Sequence, residues 1–138
     1  MADPVLELQG AIIQRLRTSP AVNAIVPSTR IVDIPRPDWW TGSDEAPYIG
    51  MGPTNYVTED VDCAYGGEIM IQVDCWSVSG NLSEVRRIAG AVRTALRGWE
   101  PVLASNALVA FDHWRTDYIR DGAVKQASIR YNAIVEKP

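Results

Sequence analysis

The stretch GEIMIQVDCWS, residues 67–77, decides the fold. Ile69, Ile71, Val73 and Cys75 fall on one side of an extended chain, and Glu68, Gln72 and Asp74 on the other. This is the period-two pattern of a strand with an apolar face on a core and a wet or partner-facing side. Strands of that kind belong to antiparallel sheets.

Working outward, the chain after this strand predicts a helix. Asn81 with Glu84 three residues later makes a start resembling a capping box, and Gly98 is placed to stop it. Leu82, Val85, Ile88 or Ala89, Val92 and Leu96 form its apolar stripe. Beyond it, LVAFDHWRTDYIRDGAVKQASIRYNAIVE (residues 108–136) holds Asp121-Gly122 between two β-rich runs, which predicts a hairpin. Ala127, Ile129, Tyr131, Ala133 and Val135 alternate along its second arm.

On the N-terminal side, PYIGMGPTNYV (residues 47–57) reads as a strand made irregular by Gly50, Gly52 and Pro53. RIVDI (residues 30–34) reads as a short strand closed by Pro35 and Pro37. A helical turn over residues 21–26 precedes it. Asp3-Pro4 starts the first helix, with Asp at the N-cap and Pro in the first turn; Val5, Leu8, Ile12 and Leu16 give its apolar stripe, and Ser19-Pro20 ends it. The order α, β, β, β, α, β, β predicts an α+β fold. Its mostly antiparallel sheet of about four to five strands carries two helices on one face. At 138 residues this is one domain, spanning residues 1–138.

No apolar run reaches the ~20 residues of a membrane span. The beginning, MADPVLELQG, lacks a charged segment followed by an apolar one, so a cytosolic product is expected. Cys63 and Cys75 are separated by enough strand, roughly 25 Å, to be expected as free thiols. The net charge of −4 weighs against nucleic-acid binding as the main activity. Its distribution is more informative. Residues 37–85 contain no Lys or Arg but hold Asp38, Asp44, Glu45, Glu59, Asp60, Asp62, Glu68, Asp74 and Glu84. Arg86, Arg93 and Arg97 follow at helical spacing, on one side of the second helix.

The residues that could carry chemistry do not combine into a site. His113, beside Asp112, could pair with Cys75, but a lone His in a strand is ordinarily a rim residue, and zinc-ligand spacings are absent. GMG at residues 50–52 and Gly66-Gly67 do not fit a phosphate loop. Glu59, Asp60 and Asp62 lack the ligand order of an EF-hand. The sequence therefore predicts no catalytic, cofactor or metal residues.

Two features look outward. The arginine row reads either as a solvated helix face or as the partner of the cation-free acidic segment of another copy, with Glu68 and Asp74 as acceptors. Opposed patches on one subunit make a head-to-tail contact, which closes into a ring when the rotation permits. The segment RPDWWTGSDEAPYIG (residues 36–50) cannot be a regular helix, yet it carries Trp39 and Trp40. Each indole needs roughly 150–250 Å² of cover. Either the segment folds back on its own sheet, or Trp39 and Trp40, with Trp76, are anchors at a contact between subunits.

The succession of elements resembles the tail-completion family of long-tailed bacteriophages and gene transfer agents, whose members include tail terminator, or tail-to-head joining, proteins. The strings that carry it are LQGAIIQRLR, a short helix ending at IVP, TRIVDIP, PYIGMG, IMIQVDCWS, the helix from EVRRIA to ALRG, and ASIRYNAIV. They cover nearly the whole chain in order, and specificity lies in the succession rather than in any single string. RPDWWTGSDEA is longer and more aromatic than the family pattern. The resemblance implies a non-enzymatic virion protein, made in the host bacterial cytoplasm. It would form a hexameric ring on the head-proximal end of the tail tube, stop tube growth and dock the head connector, while DNA passes unbound through the lumen. The alternatives are a head-completion or stopper protein of the neck and, more distantly, a small enzyme using Cys75 and His113.

Overall fold

The computed structural model describes residues 3–41, 47–59, 65–79, 81–121 and 124–136. Helix α1 spans Pro4–Arg17, and Asp3 Oδ1 accepts the Val5 N–H at 2.8 Å, as its N-cap position requires. Single turns follow: α2, Pro20–Asn23, then a 3₁₀ turn at Ser28–Arg30, and α3, Asp38–Thr41. Strands β1 (Tyr48–Met51), β2 (Asn55–Thr58) and β3 (Gly66–Ser77) precede α4 (Ser83–Leu96), and β4 (Ala107–Asp121) and β5 (Val124–Glu136) close the chain. Among the described residues no helix is long and apolar enough to cross a membrane.

The sheet has the order β1-β3-β5-β4, with β2 also on β3. All its strand pairs are antiparallel. The fold is α+β, with α4 against β3 and β5 and α1 beside α4. Ile69, Ile71, Val73 and Cys75 form one core with Ala127, Ile129, Tyr131, Ala133 and Val135, and with Leu8, Ile12, Leu16 and the α4 stripe. Each large aliphatic in that set contributes about 1.5–3 kcal/mol by leaving water.

Several local expectations are corrected. RIVDI is not a strand. Ile31 makes an isolated parallel bridge to Ile49, and the pairing ends with Met51 N–H donating to Asp33 O. Pro35 and Pro37 have no N–H to continue the ladder. PYIGMGPTNYV is two strands, each holding one half of β3, with the break at Gly52-Pro53-Thr54. The tryptophan segment does contain one helical turn, α3. Asn81 Oδ1 accepts from Ser83 N–H at 2.8 Å, but Glu84 accepts from the Ser77 hydroxyl at 2.7 Å, which ties the start of α4 to the end of β3 rather than completing a capping box. Gly98 stops α4 with φ 65°, the left-handed region that favours glycine at this position.

The hairpin closes at Asp121↔Val124, and Gly122 lies outside the described residues. Cys75 is a free, buried thiol; Cys63, Asp60 and Asp62 also lie outside the described residues, so the expectations about them are not addressed by the fold.

Replacing Ile71 at the centre of this core by Ala is expected to destabilise the chain by about 2–5 kcal/mol. Leu6→Ala, on the exposed side of α1, should stay within about 0.5 kcal/mol of wild type. Chemical denaturation of the two variants measures both.

Candidate functional site

Trp39 is covered by its own chain. It is 8% exposed, lies over the Arg30 guanidinium at 4.4 Å, and meets the Tyr48 ring at 5.6 Å. Tyr48 in turn stacks on Trp76 at 5.0 Å. Tyr48 and Trp76 are cross-strand partners on the sheet face away from α4, and Pro35 sits over Gly50 beside them, where a Cβ would approach its ring to 2.6 Å. The described part of the segment thus packs Trp39 on its own sheet and builds a column, Arg30–Trp39–Tyr48–Trp76. Desolvation raises the Tyr48 hydroxyl pKa, with Arg30 acting against it. The Trp40 side chain lies outside the described residues.

Arg30 had no local signal. It is buried, and its Nε–H donates to Pro47 O at 3.1 Å, a contact between residues 17 apart in the chain. A guanidinium in that place gives the indole a cation over its face and satisfies a loop carbonyl at once.

The second face of β3 is not wet at its centre, which corrects the reading of Asp74 as an outward acceptor. Asp74 is 4% exposed. Its Oδ1 accepts from Gln72 Nε2 at 2.8 Å and from the Ser128 hydroxyl at 2.9 Å, and Arg130 Nε donates to Gln72 Oε1 at 3.0 Å. A Cβ on Gly52 would lie 2.5 Å from Asp74 Oδ2, so this loop closes over the carboxylate because it is glycine. Glu68, further along the same face, is exposed.

Of the arginine row, Arg86 and Arg93 are on α4 and Arg97 is its C-cap, in extended backbone; β4 determines what the row meets. Register shifts fall between Leu108 and Ala110 and between His113 and Arg115. The second is decisive. By plain alternation residues 113 and 116 would point to opposite faces; across the shift His113 pairs with Tyr131 and Thr116 with Ile129, both core-facing positions. His113 and Thr116 therefore converge on α4. Arg93 Nη1 donates to Thr116 Oγ1 at 3.3 Å and to the Tyr118 hydroxyl at 3.1 Å, and Arg86 lies 5.5 Å from the Tyr118 ring. Arg97 is exposed. Among the described residues none of these three arginines has a carboxylate partner.

His113 Nε2 stands 2.7 Å from Thr116 Oγ1. Since Arg93 only donates, the Thr116 hydroxyl accepts from it and can donate to Nε2 of a neutral ring, which leaves Nδ1–H as the ring's own donor. Burial, then the charges of Arg93 and Arg97, lower the pKa of His113. Arg93, Arg97, Asp112, His113 and Tyr131 line a cavity of about 230 Å³. Tyr131 stacks on Phe111 at 4.7 Å, and its buried hydroxyl has no hydrogen-bond partner among the described residues. Burial also pushes that hydroxyl well above its ordinary pKa, so it is a donor.

Cys75 and His113 do not come together. Cys75 is aligned with Ala127 and Tyr118, His113 with Tyr131, so they are separated by four β5 positions, roughly 13 Å. Burial, reinforced by Asp74, pushes the Cys75 thiol far up, against the thiolate a nucleophile needs. Among the described residues no His, Cys, Asp and Glu group could hold a metal ion.

A family profile described as "Tail completion protein gp17" matches residues 10–136. Among solved structures, a chain of the "Virion of native gene transfer agent (GTA) particle" is similar to this one with a TM-score of 0.85 at 22% identity. The match covers 99% of each chain. No curated protein matches.

Trp39→Ala should lower stability by about 3 kcal/mol, since it empties a covered site and strips the cover from Arg30. A change within 0.5 kcal/mol in denaturant unfolding would show that the column contributes little. His113 should titrate below its ordinary 6.5, and Arg93→Gln should move it upward. Because the folded pKa is the lower one, the unfolded chain binds more protons as pH falls. The His113 contribution to stability is therefore complete above pH 6.5 and declines below it. As the chain has one histidine, a single imidazole resonance followed by NMR reads the titration directly.

Proposed function

The chain belongs to the tail completion protein gp17 family, and on that premise we propose that it is a tail terminator: a virion protein whose subunits form a hexameric ring on the head-proximal end of the tail tube. The ring stops addition of tube subunits and offers the surface on which the head connector docks. It catalyses no reaction.

The observation that carries the ring is the arginine row of α4 and its C-cap, which has no carboxylate partner among the described residues. In the cation-free acidic stretch of residues 37–85, strands β1 and β2 lie on the opposite edge of the sheet from β4. Within it Asp38 pairs with Arg36, Asp74 is buried, and Glu84 takes the Ser77 hydroxyl. Glu59 and Glu68 are its exposed, unpaired described acids. A head-to-tail contact would set Arg86, Arg93 and Arg97 of one subunit toward Glu68 and its neighbours on the next.

The apolar part would come from half-buried Trp76, at the end of the column, and from β4, with Trp40 proposed as a further anchor; Trp39 is covered by its own chain. Among the described residues β4 pairs with β5 alone, and it exposes Trp114, Tyr118 and Ile119. A long open edge with aromatic side chains is a surface a free monomer ordinarily protects. Acids of the cation-free stretch facing the lumen would let DNA slide without adhering.

In particles assembled without this protein, electron microscopy should find overlong tubes without heads. Tails of normal length beside leaking heads would place the protein on the head side of the neck instead. Ring assembly should also weaken as salt rises from 0.05 to 0.5 M, values of order set by screening lengths of ~14 to 4 Å; sedimentation unaffected by salt would remove charge pairing from the contact.

A further inference from the structure

We infer that the cavity between the last turn of α4 and the shifted register of β4 is a socket for a carboxylate carried by a second copy of this chain. The choice of occupant rests on the ring reading above; the socket itself rests on the geometry.

Its donors come from three elements. Arg93 is in the last turn of α4 and Arg97 is its C-cap, His113 is on β4, and Tyr131 is on β5. Arg93 is oriented by Thr116 and Tyr118, which are uncharged, so its guanidinium is held in place without being neutralised. Arg97 has no partner among the described residues. A neutral His113 keeps one N–H, and Tyr131 keeps a buried O–H that nothing in the described chain accepts. A buried donor left unmade is costly, and such a group in a cleft beside two cations points to an acceptor from outside.

A carboxylate suits the space and the donors. It offers acceptor sites only, takes a guanidinium through two oxygens, and is small enough for about 230 Å³. Asp112 also lines the cavity; it is exposed and forms no ion pair with either arginine, so the site keeps its positive excess. The adjoining groove of about 460 Å³ is walled by Trp99, Leu108 and Phe111 and also by Glu100 and Asp112, so the incoming carboxylate is directed to the arginine end rather than into that groove. The second copy is favoured by charge: its residues 37–85 supply carboxylates with no Lys or Arg to repel the socket.

The single histidine makes the test direct. The subunit, labelled at His113, is titrated with acetate at constant ionic strength against chloride. A saturable imidazole shift and a raised His113 pKa are expected. Arg97→Gln should weaken acetate binding roughly tenfold, Arg93→Gln likewise, and Arg87→Gln, which removes the same charge outside the cavity, should not. The labelled wild type is then mixed with unlabelled Arg93→Gln/Arg97→Gln subunit, which cannot be filled but can fill. The same His113 shift is expected.

Absence of an acetate response overturns the socket. A response to acetate but not to the added copy overturns the second copy as occupant. A response to a short oligodeoxynucleotide and not to acetate assigns the cavity to phosphate and overturns both. None of these outcomes bears on tail length, so the socket and the terminator role fail separately.

Discussion

The ladder between β3 and β5 is the constraint on which the rest depends. It runs without a shift from Gly66↔Glu136 to Ser77↔Lys125. A slip of one residue would turn every side chain of one strand to the opposite face. Here that error is penalised twice, since the centre of β3 is buried on both faces. Its apolar set meets α4, and its polar set meets partners that are themselves in register: Asp74 opposite Ser128 and Gln72 opposite Arg130. Moving Asp74 into the aliphatic core would leave a carboxylate without donors, a far larger loss than any single hydrogen bond gains. The polar cluster thus specifies the register, while the aliphatic side supplies most of the free energy.

Once β3 and β5 are fixed, the position of everything else follows from short connections. Ser77 at the end of β3 reaches Glu84 in the first turn of α4, so the helix starts where the strand stops. Gly98 ends it beside β4, and Arg15 Nε donating to Ala95 O joins α1 to its last turn. On the other edge, Gly52 allows the chain to close over Asp74, and the glycine-proline break there divides β1 from β2. The Arg30–Trp39–Tyr48–Trp76 column then covers the end of the second face that the polar cluster does not reach.

Periodicity made the strongest elements legible: α1, β3, α4 and β5 are where alternation or helical spacing placed them, and each carries its expected core set. What periodicity could not convey is which polar face another part of the chain covers. Asp74 looks solvent-facing in GEIMIQVDCWS because Gly52 and Ser128 are distant in sequence. RIVDI has the composition of a strand, but prolines on its C-terminal side deny it a ladder. Trp39 posed a question whose answer, Arg30 and Tyr48, required the fold. The arginine row was legible as a row. Its neighbours were not, because the register shift in β4 changes which of HWRT faces inward, and nothing in that string marks it.

The distribution of charge completes the reasoning. A subunit of net charge −4 has acids to spare, yet among the described residues it uses Asp74, Asp38 and Glu84 for internal contacts, meets Arg86 and Arg93 on α4 with neutral groups, and leaves Arg97, at the C-cap, without a partner. Like charges so close repel one another, which slightly weakens α4 by itself. Thr116 and Tyr118 fix the direction of Arg93 but do not relieve that repulsion. An arrangement that orders cations without neutralising them is costly for a monomer and suited to a contact, because the ordering entropy has been met before the anion arrives. That ordering is the physical ground for proposing the row and the cavity beneath it as half of an interface.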